Sequence, residues 1–147
     1  MAERNAEIVK YHFLTPFGFP QRKARKRAIV ELFRKEGINL NTLNYIFCTD
    51  KYLLKINQDF LKHNDLTDVI TFDLSETNYV VTGEIYISID RVRENAKNFK
   101  VSLQKEILRV MFHGALHLCG YKDKNPKDVV MMRTKEDFYL NKYHKSK

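Results

Sequence analysis

TDVITFDLSETNYVVTGEIYISI, residues 67–89, decides the fold. TDVITFDL (67–74) is rich in β-branched and aromatic residues and reads as a strand. SETNYVV (75–81) supplies a turn and the entry to the next strand. TGEIYISI (82–89) then alternates Gly83, Ile85, Ile87 and Ile89 against Glu84, Tyr86 and Ser88, which is the two-residue period of a strand. The pair makes a hairpin. Upstream, EIVKYHFL (7–14) and TLNYIFCT (42–49) read as two further strands, the second with Leu43, Tyr45 and Phe47 on one face.

The remaining segments are helical. Residues 21–36 carry Ala24, Ala28, Leu32 and Phe33 on one side and stop at Gly37. Asp50 is placed to cap a short helix over 51–61, with Leu53, Ile56 and Phe60 inward. Asp90 begins a polar helix that runs to Lys100, and Ser102 caps a more apolar one over 103–119. Asn125 and Pro126 stand at the cap and first position of a last helix, with Asp128 completing a capping-box-like pattern. Strands and helices in separate runs predict an α+β domain. It is a small mixed sheet of four strands with about five helices, and helix 103–119 packs on the sheet.

At 147 residues the chain is long enough for one domain with a real core. No apolar run approaches the roughly 20 residues of a membrane helix, and the charged start MAERNAEIVK does not read as a signal peptide. With Cys48 and Cys119 as two lone cysteines, a reduced, cytoplasmic protein is expected. The formal net charge of +8 favours a polyanionic partner: RNA, DNA or anionic lipid. QRKARKR (21–27) concentrates Arg22, Lys23, Arg25, Lys26 and Arg27 in one stretch, which predicts a nucleic-acid-binding helix; the alternative is a solvated face.

HGALHLCGYKD (113–123) carries the chemistry. His113 and His117 are one helical turn apart and present two imidazoles on one face. Catalytic zinc takes three protein ligands and keeps a fourth position open. Gly120 permits the helix to end in a left-handed conformation, so that Asp123 can fold back as the third ligand. Alternatively Asp123 is only a turn residue and another group completes the shell. Cys119, two residues from His117, points elsewhere around the helix and reads as a core cysteine.

Gly114 occupies the position where a zinc peptidase keeps its glutamate base. A glycine inside a helix costs about 1 kcal/mol against alanine, which suggests that a strand or a substrate approaches closely there. Without that base, peptide hydrolysis lacks its usual proton carrier. Phosphodiester cleavage needs it less, because a metal can polarise a phosphate oxygen and RNA can supply its own 2′-hydroxyl.

The same stretch resembles the H-G-x-L-H-L-x-G-Y-D-H signature of the YbeY family, metal-dependent endoribonucleases that mature ribosomal RNA. INQDF (56–60), TDVITF (67–72) and TGEIYIS (82–88) resemble that family's L-N-x-x-Y-R, T-D-V-L-S-F and G-D-I-x-I-S segments, in the same order. The resemblance implies a small mixed sheet crossed by the metal helix, and one divalent metal per chain, zinc or an alternative divalent ion. It implies single-strand-specific cleavage in ribosomal RNA processing and ribosome quality control. The implied partners are ribosomal RNA and ribosomal particles, with no DNA and no membrane.

His113 and His117 match the first two ligands of the signature. Its third histidine is Asp123 here, and the aspartate before it is Lys122. The family's arginine after the aromatic is Leu61. Lys62 or His63 is the candidate to replace it, so Lys62, His63 and His113 form the candidate catalytic set; the alternative is that Lys62 and His63 are ordinary loop residues. Two rival functions remain at this level. One is a metallopeptidase, disfavoured by Gly114. The other is a ribosome assembly factor with a structural metal and a basic RNA-binding helix.

Overall fold

The computed structural model describes residues 8–62 and 66–145. Its elements, among the described residues, are β1 (Val9–Phe13), α1 (Arg22–Lys35), β2 (Leu40–Cys48), α2 (Asp50–Leu61), β3 (Val69–Asp73), β4 (Val81–Ser88), α3 (Ile89–Phe99), α4 (Leu103–Leu118) and α5 (Pro126–Lys145). The four strands form one mixed sheet in the order β1-β2-β4-β3. β1 and β4 both run parallel to β2, while β3 returns antiparallel to β4, closing the hairpin expected from residues 67–89. β3 is therefore an edge strand.

The two faces of the sheet have different work. Val9, Leu43, Tyr45, Phe47, Ile85 and Ile87 point into the main core with α1, α4 and α5. Cys48 and Ile70 point the other way, where Leu53 and Ile56 of α2 cover them. α4 lies closest of all. Tyr45 donates its buried hydroxyl to the carbonyl of Met111 at 2.9 Å. A Cβ at Gly114 would stand 2.8 Å from Ile85 Cδ1 and 3.2 Å from Thr71 Oγ1, and one at Gly83 would stand 2.7 Å from Leu118 Cδ1. Glycine at these two positions thus lets helix and sheet touch. The neighbour that excludes a side chain at Gly114 is the sheet, not a substrate. Complete burial of Ile85 contributes about 2–3 kcal/mol, which outweighs the roughly 1 kcal/mol propensity cost of the helical glycine.

The helix starts correct the sequence reading at two places. Thr49, not Asp50, caps α2: its hydroxyl accepts from the Tyr52 amide at 3.2 Å. α3 begins at Ile89 rather than Asp90, and Ser88 caps it, accepting from Arg91 N at 3.2 Å. In each case the hydroxyl residue one or two positions before the aspartate has the extended backbone that a cap requires. The aspartate falls in the first turn, where its charge suits the helix dipole. Asp50 is used to join elements instead. Its carboxylate accepts from Ser88 Oγ at 2.7 Å and pairs with Arg91 at 2.9 Å. Ser102 and Asn125 cap their helices as expected, accepting from the Lys105 and Asp128 amides. Both cysteines are free, and burial, with Glu36 nearby, pushes the Cys119 thiol up to about 12.

The basic run also needs correction. Arg25 is buried, with its guanidinium 4.7 Å above the Phe19 ring and Nη2 donating to Gln104 Oε1 at 2.9 Å. Arg22 stacks on Phe13 and Lys26 on Tyr11. Three of the five cations thus clamp an aromatic cluster made by β1 and the loop after it. Lys23 and Arg27 stay exposed. Neutralising Lys23 and Arg27 should therefore flatten the salt dependence of single-stranded RNA binding, by up to about 0.7 per lost contact, with little change in stability. Arg25→Ala should instead destabilise the fold by about 1–3 kcal/mol. Salt-titrated binding and chemical denaturation measure the two effects separately. The reverse pattern would return Arg25 to the RNA-binding set.

Candidate metal centre

α4 carries both histidines on the side turned toward β3 and α5. The helix ends at Cys119, and Gly120 takes the left-handed conformation at φ 105°. The Tyr121 amide reaches back to the Leu116 carbonyl and the Gly120 amide to that of His117, at 3.1 and 3.0 Å, which is the Schellman closure. The turn brings Asp123 over the histidine face. His113 Nε2 and His117 Nε2 are 3.0 Å apart; Asp123 Oδ2 is 3.1 Å from the first and 3.3 Å from the second. A tetrahedral ion with ligands at about 2.0–2.1 Å sets its ligand atoms about 3.3 Å apart. The triangle already has nearly that size.

The other ring nitrogens fix the tautomers. His113 Nδ1 donates to Glu136 Oε2 at 2.7 Å, and His117 Nδ1 donates to the Tyr121 carbonyl at 2.9 Å. With protons on Nδ1, both Nε2 atoms present lone pairs to each other and to a carboxylate oxygen. Three acceptors facing one point repel unless a cation lies between them, so this donor set fits a divalent metal. Desolvation alone would lower the His113 pKa, but the bond and charge of Glu136, with smaller contributions from the Asp123 and Asp68 carboxylates, outweigh it and raise it. Metal binding at His113 therefore competes with protons, and affinity should fall as pH falls.

Behind these contacts stands a second ring of groups that the sequence reading did not find. Glu136 on α5 is buried and held by Arg109 at 3.0 Å, while Arg109 also pairs with Asp137 at 2.9 Å. Arg109 is thereby committed to carboxylates. Glu36, just past α1, accepts from Tyr121 at 2.7 Å, from Lys135 at 3.3 Å and from Tyr139. It thus steadies the residue whose carbonyl orients His117. Burial raises the Asp68 carboxyl, which accepts from Asn95 at 3.2 Å. One signal was available for Glu136. It shares the α5 stripe of Met132, Tyr139, Leu140 and Tyr143, all buried, so a carboxylate stood on an apolar face.

A cleft opens beside the triangle along the free edge of β3. Asn57 and Leu61 of α2 line it, with Asp68, Thr71 and Lys124. A second hollow, about 330 Å³, adjoins the cleft at Asp68, His113 and Asp123 and is lined further by Arg109, Arg133 and Glu136. Lys62 follows Leu61 directly, exposed and in the left-handed conformation that ends α2. His63, the other candidate for the anion contact, lies outside the described residues.

The family profile described as "Endoribonuclease YbeY" matches residues 19–144. The chain belongs to the YbeY family. An endoribonuclease YbeY of Flavobacterium psychrophilum is 44% identical over 137 residues, covering 93% of this chain and 97% of that one. A YbeY of Cytophaga hutchinsonii is 46% identical over 127 residues, 86% of this chain and 89% of its own. A solution structure from Thermotoga maritima is similar in fold, with a TM-score of 0.63 and 32% identity, covering 91% of this chain and 89% of that one. As a YbeY-family chain, this one has His113 and His117 at the first two histidines of the signature and an aspartate at the third. The carboxylate changes the charge of the donor set while keeping the triangle closed.

Proposed function

We propose that this protein is a metal-dependent endoribonuclease that cleaves single-stranded RNA in ribosomal RNA maturation, with ribosomal precursor particles as its partners in the cytoplasm. No helix of the described chain is long and apolar enough to cross a membrane. The observation that carries the reading is the convergence of His113 Nε2, His117 Nε2 and Asp123 Oδ2 within 3.3 Å of one another, beside an open cleft. Three ligands and an accessible fourth side are the pattern of a catalytic site, whereas structural zinc sites are closed by four protein ligands. That contrast favours an enzyme over an assembly factor with a structural metal. Gly114 disfavours a peptidase: α4 packs so tightly there that the sheet leaves no room for a side chain.

When bound, the metal, zinc as the first candidate, supplies Lewis-acid polarisation of a phosphate oxygen. The chain's own residues prepare the place. Glu136 and the Tyr121 carbonyl hold the Nδ1 protons, so both imidazoles keep Nε2 free. Asp123 reduces the positive charge by one unit relative to a third histidine. Lys62 and His63 stay the candidates beyond the end of α2 for contacting RNA.

Chelator treatment should abolish cleavage of a single-stranded RNA, and divalent metal should restore it. Cleavage that is indifferent to chelator would overturn the reading. Asp123→Ala should leave the fold intact and weaken metal binding about 10- to 100-fold or more. Asp123→His should bind metal and move the rising limb of the rate–pH curve to lower pH, because the added positive charge favours loss of a proton at the site. Metal content and pH profiles of both variants test this. Wild-type metal affinity in Asp123→Ala would make the aspartate a turn residue only.

A further inference from the structure

We propose that Lys124 holds the phosphodiester of the RNA strand over the metal triangle, taking the role of its principal cationic anchor. This rests on the endoribonuclease reading and deepens it.

Around His113 stand Asp68, Asp123 and Glu136, so the approach to the triangle is lined with carboxylates. A phosphodiester brings a further negative charge to that place and needs a cation besides the metal. Arg109 is already paired with Glu136 and Asp137. Arg133 lines the adjoining hollow rather than the cleft and leans on Glu136 at 3.6 Å. In the cleft along the β3 edge, Lys124 is the only Lys or Arg among the described lining residues. It is exposed, and no ion pair or hydrogen bond of its side chain is found among the described residues. It directly follows Asp123, so its backbone is carried by the same turn that closes the triangle. Its ammonium therefore faces the same cleft as His113, His117 and Asp123, available to a phosphate oxygen of a strand lying there. The wall contributed by α2 presents Leu61 to the same cleft, which offers no cation.

The test uses the full-length, metal-loaded protein and a single-stranded RNA oligonucleotide. Lys124→Ala should lower kcat/KM for cleavage roughly 10- to 100-fold, the loss of one charge-assisted bond to phosphate. It should reduce the salt slope of binding by about 0.7, and leave metal content unchanged. Lys122→Ala removes the same charge from the other side of Asp123 and should change none of these three quantities. Leu61→Arg, placed in the Lys124→Ala background, should recover cleavage by returning a cation to the same cleft. Wild-type cleavage and salt slope in Lys124→Ala would overturn the proposal. So would an equal loss in Lys122→Ala, which would reveal a diffuse field, or a double variant no better than Lys124→Ala. If the loaded wild type cleaves no RNA, the endoribonuclease reading fails; the salt slope still decides whether Lys124 contacts the strand.

Discussion

Replacing His113 or His117 with alanine should give a folded protein that no longer retains metal and has lost RNA cleavage by on the order of a thousandfold or more. Two neutral nitrogens and one carboxylate leave little redundancy, because removal of either imidazole reduces the set to two donors. The fold should survive for a specific reason. Losing His113 leaves Glu136 buried, but Arg109 remains at 3.0 Å and Arg133 at 3.6 Å, so the carboxylate keeps its charge partners. Losing His117 deprives the Tyr121 carbonyl of one donor, while Tyr121 itself stays held by Glu36 at 2.7 Å. Elemental analysis, thermal melting and a cleavage assay on the same preparations separate the site from the scaffold. A folded variant with full metal content would remove that histidine from the ligand set.

The second large effect concerns stability. Gly114→Glu would place in this chain the base that a zinc peptidase uses, yet it should destabilise the protein by about 3–5 kcal/mol and confer no peptidase activity. Even the Cβ would enter within 2.8 Å of Ile85 Cδ1 and 2.9 Å of its Cγ2. The rest of the side chain would carry a carboxylate into the contact between α4 and the sheet, against the methyl groups of Ile85 and the hydroxyl of Thr71. Gly114→Ala probes the steric part alone. Its gain in helix propensity, about 1 kcal/mol, is set against overpacking of about 1–3 kcal/mol. A midpoint lowered by roughly 10 °C or more is expected for the glutamate variant. If Gly114→Glu melts like the wild type, α4 does not pack on Ile85 as described.

Local features of the fold were readable in the sequence because they depend on local chemistry. The alternation in TGEIYISI placed Ile85 and Ile87 on the core face, and Gly120 marked the point where α4 turns back. The histidine spacing and the return of Asp123 likewise follow from one helix and one turn. The cap expected at Asp50 and the helix start expected at Asp90 each lie one residue late, because a hydroxyl and an aspartate stand close together at both places and both residue types can cap. What stayed hidden depends on contacts between distant segments. Arg25 looked like one of five surface cations until Phe19 and Gln104 folded around it. Glu136 and Glu36 orient the histidines from α5 and the end of α1, and nothing in their own neighbourhoods names that partner. Gly114 raised the right question, a close approach, but only the sheet could say that Ile85 makes it.

The central claim is that three donor atoms on the α4 turn hold one metal and that this metal enables RNA cleavage. The most direct measurement is a titration of metal-free protein with zinc, and in parallel with another divalent ion, recording bound metal and the rate of single-stranded RNA cleavage on the same samples. Both should rise together and level off at about one equivalent per chain. Cleavage at full rate before any metal is bound, or a site that fills at one equivalent with every ion tried while RNA stays intact, would contradict the account.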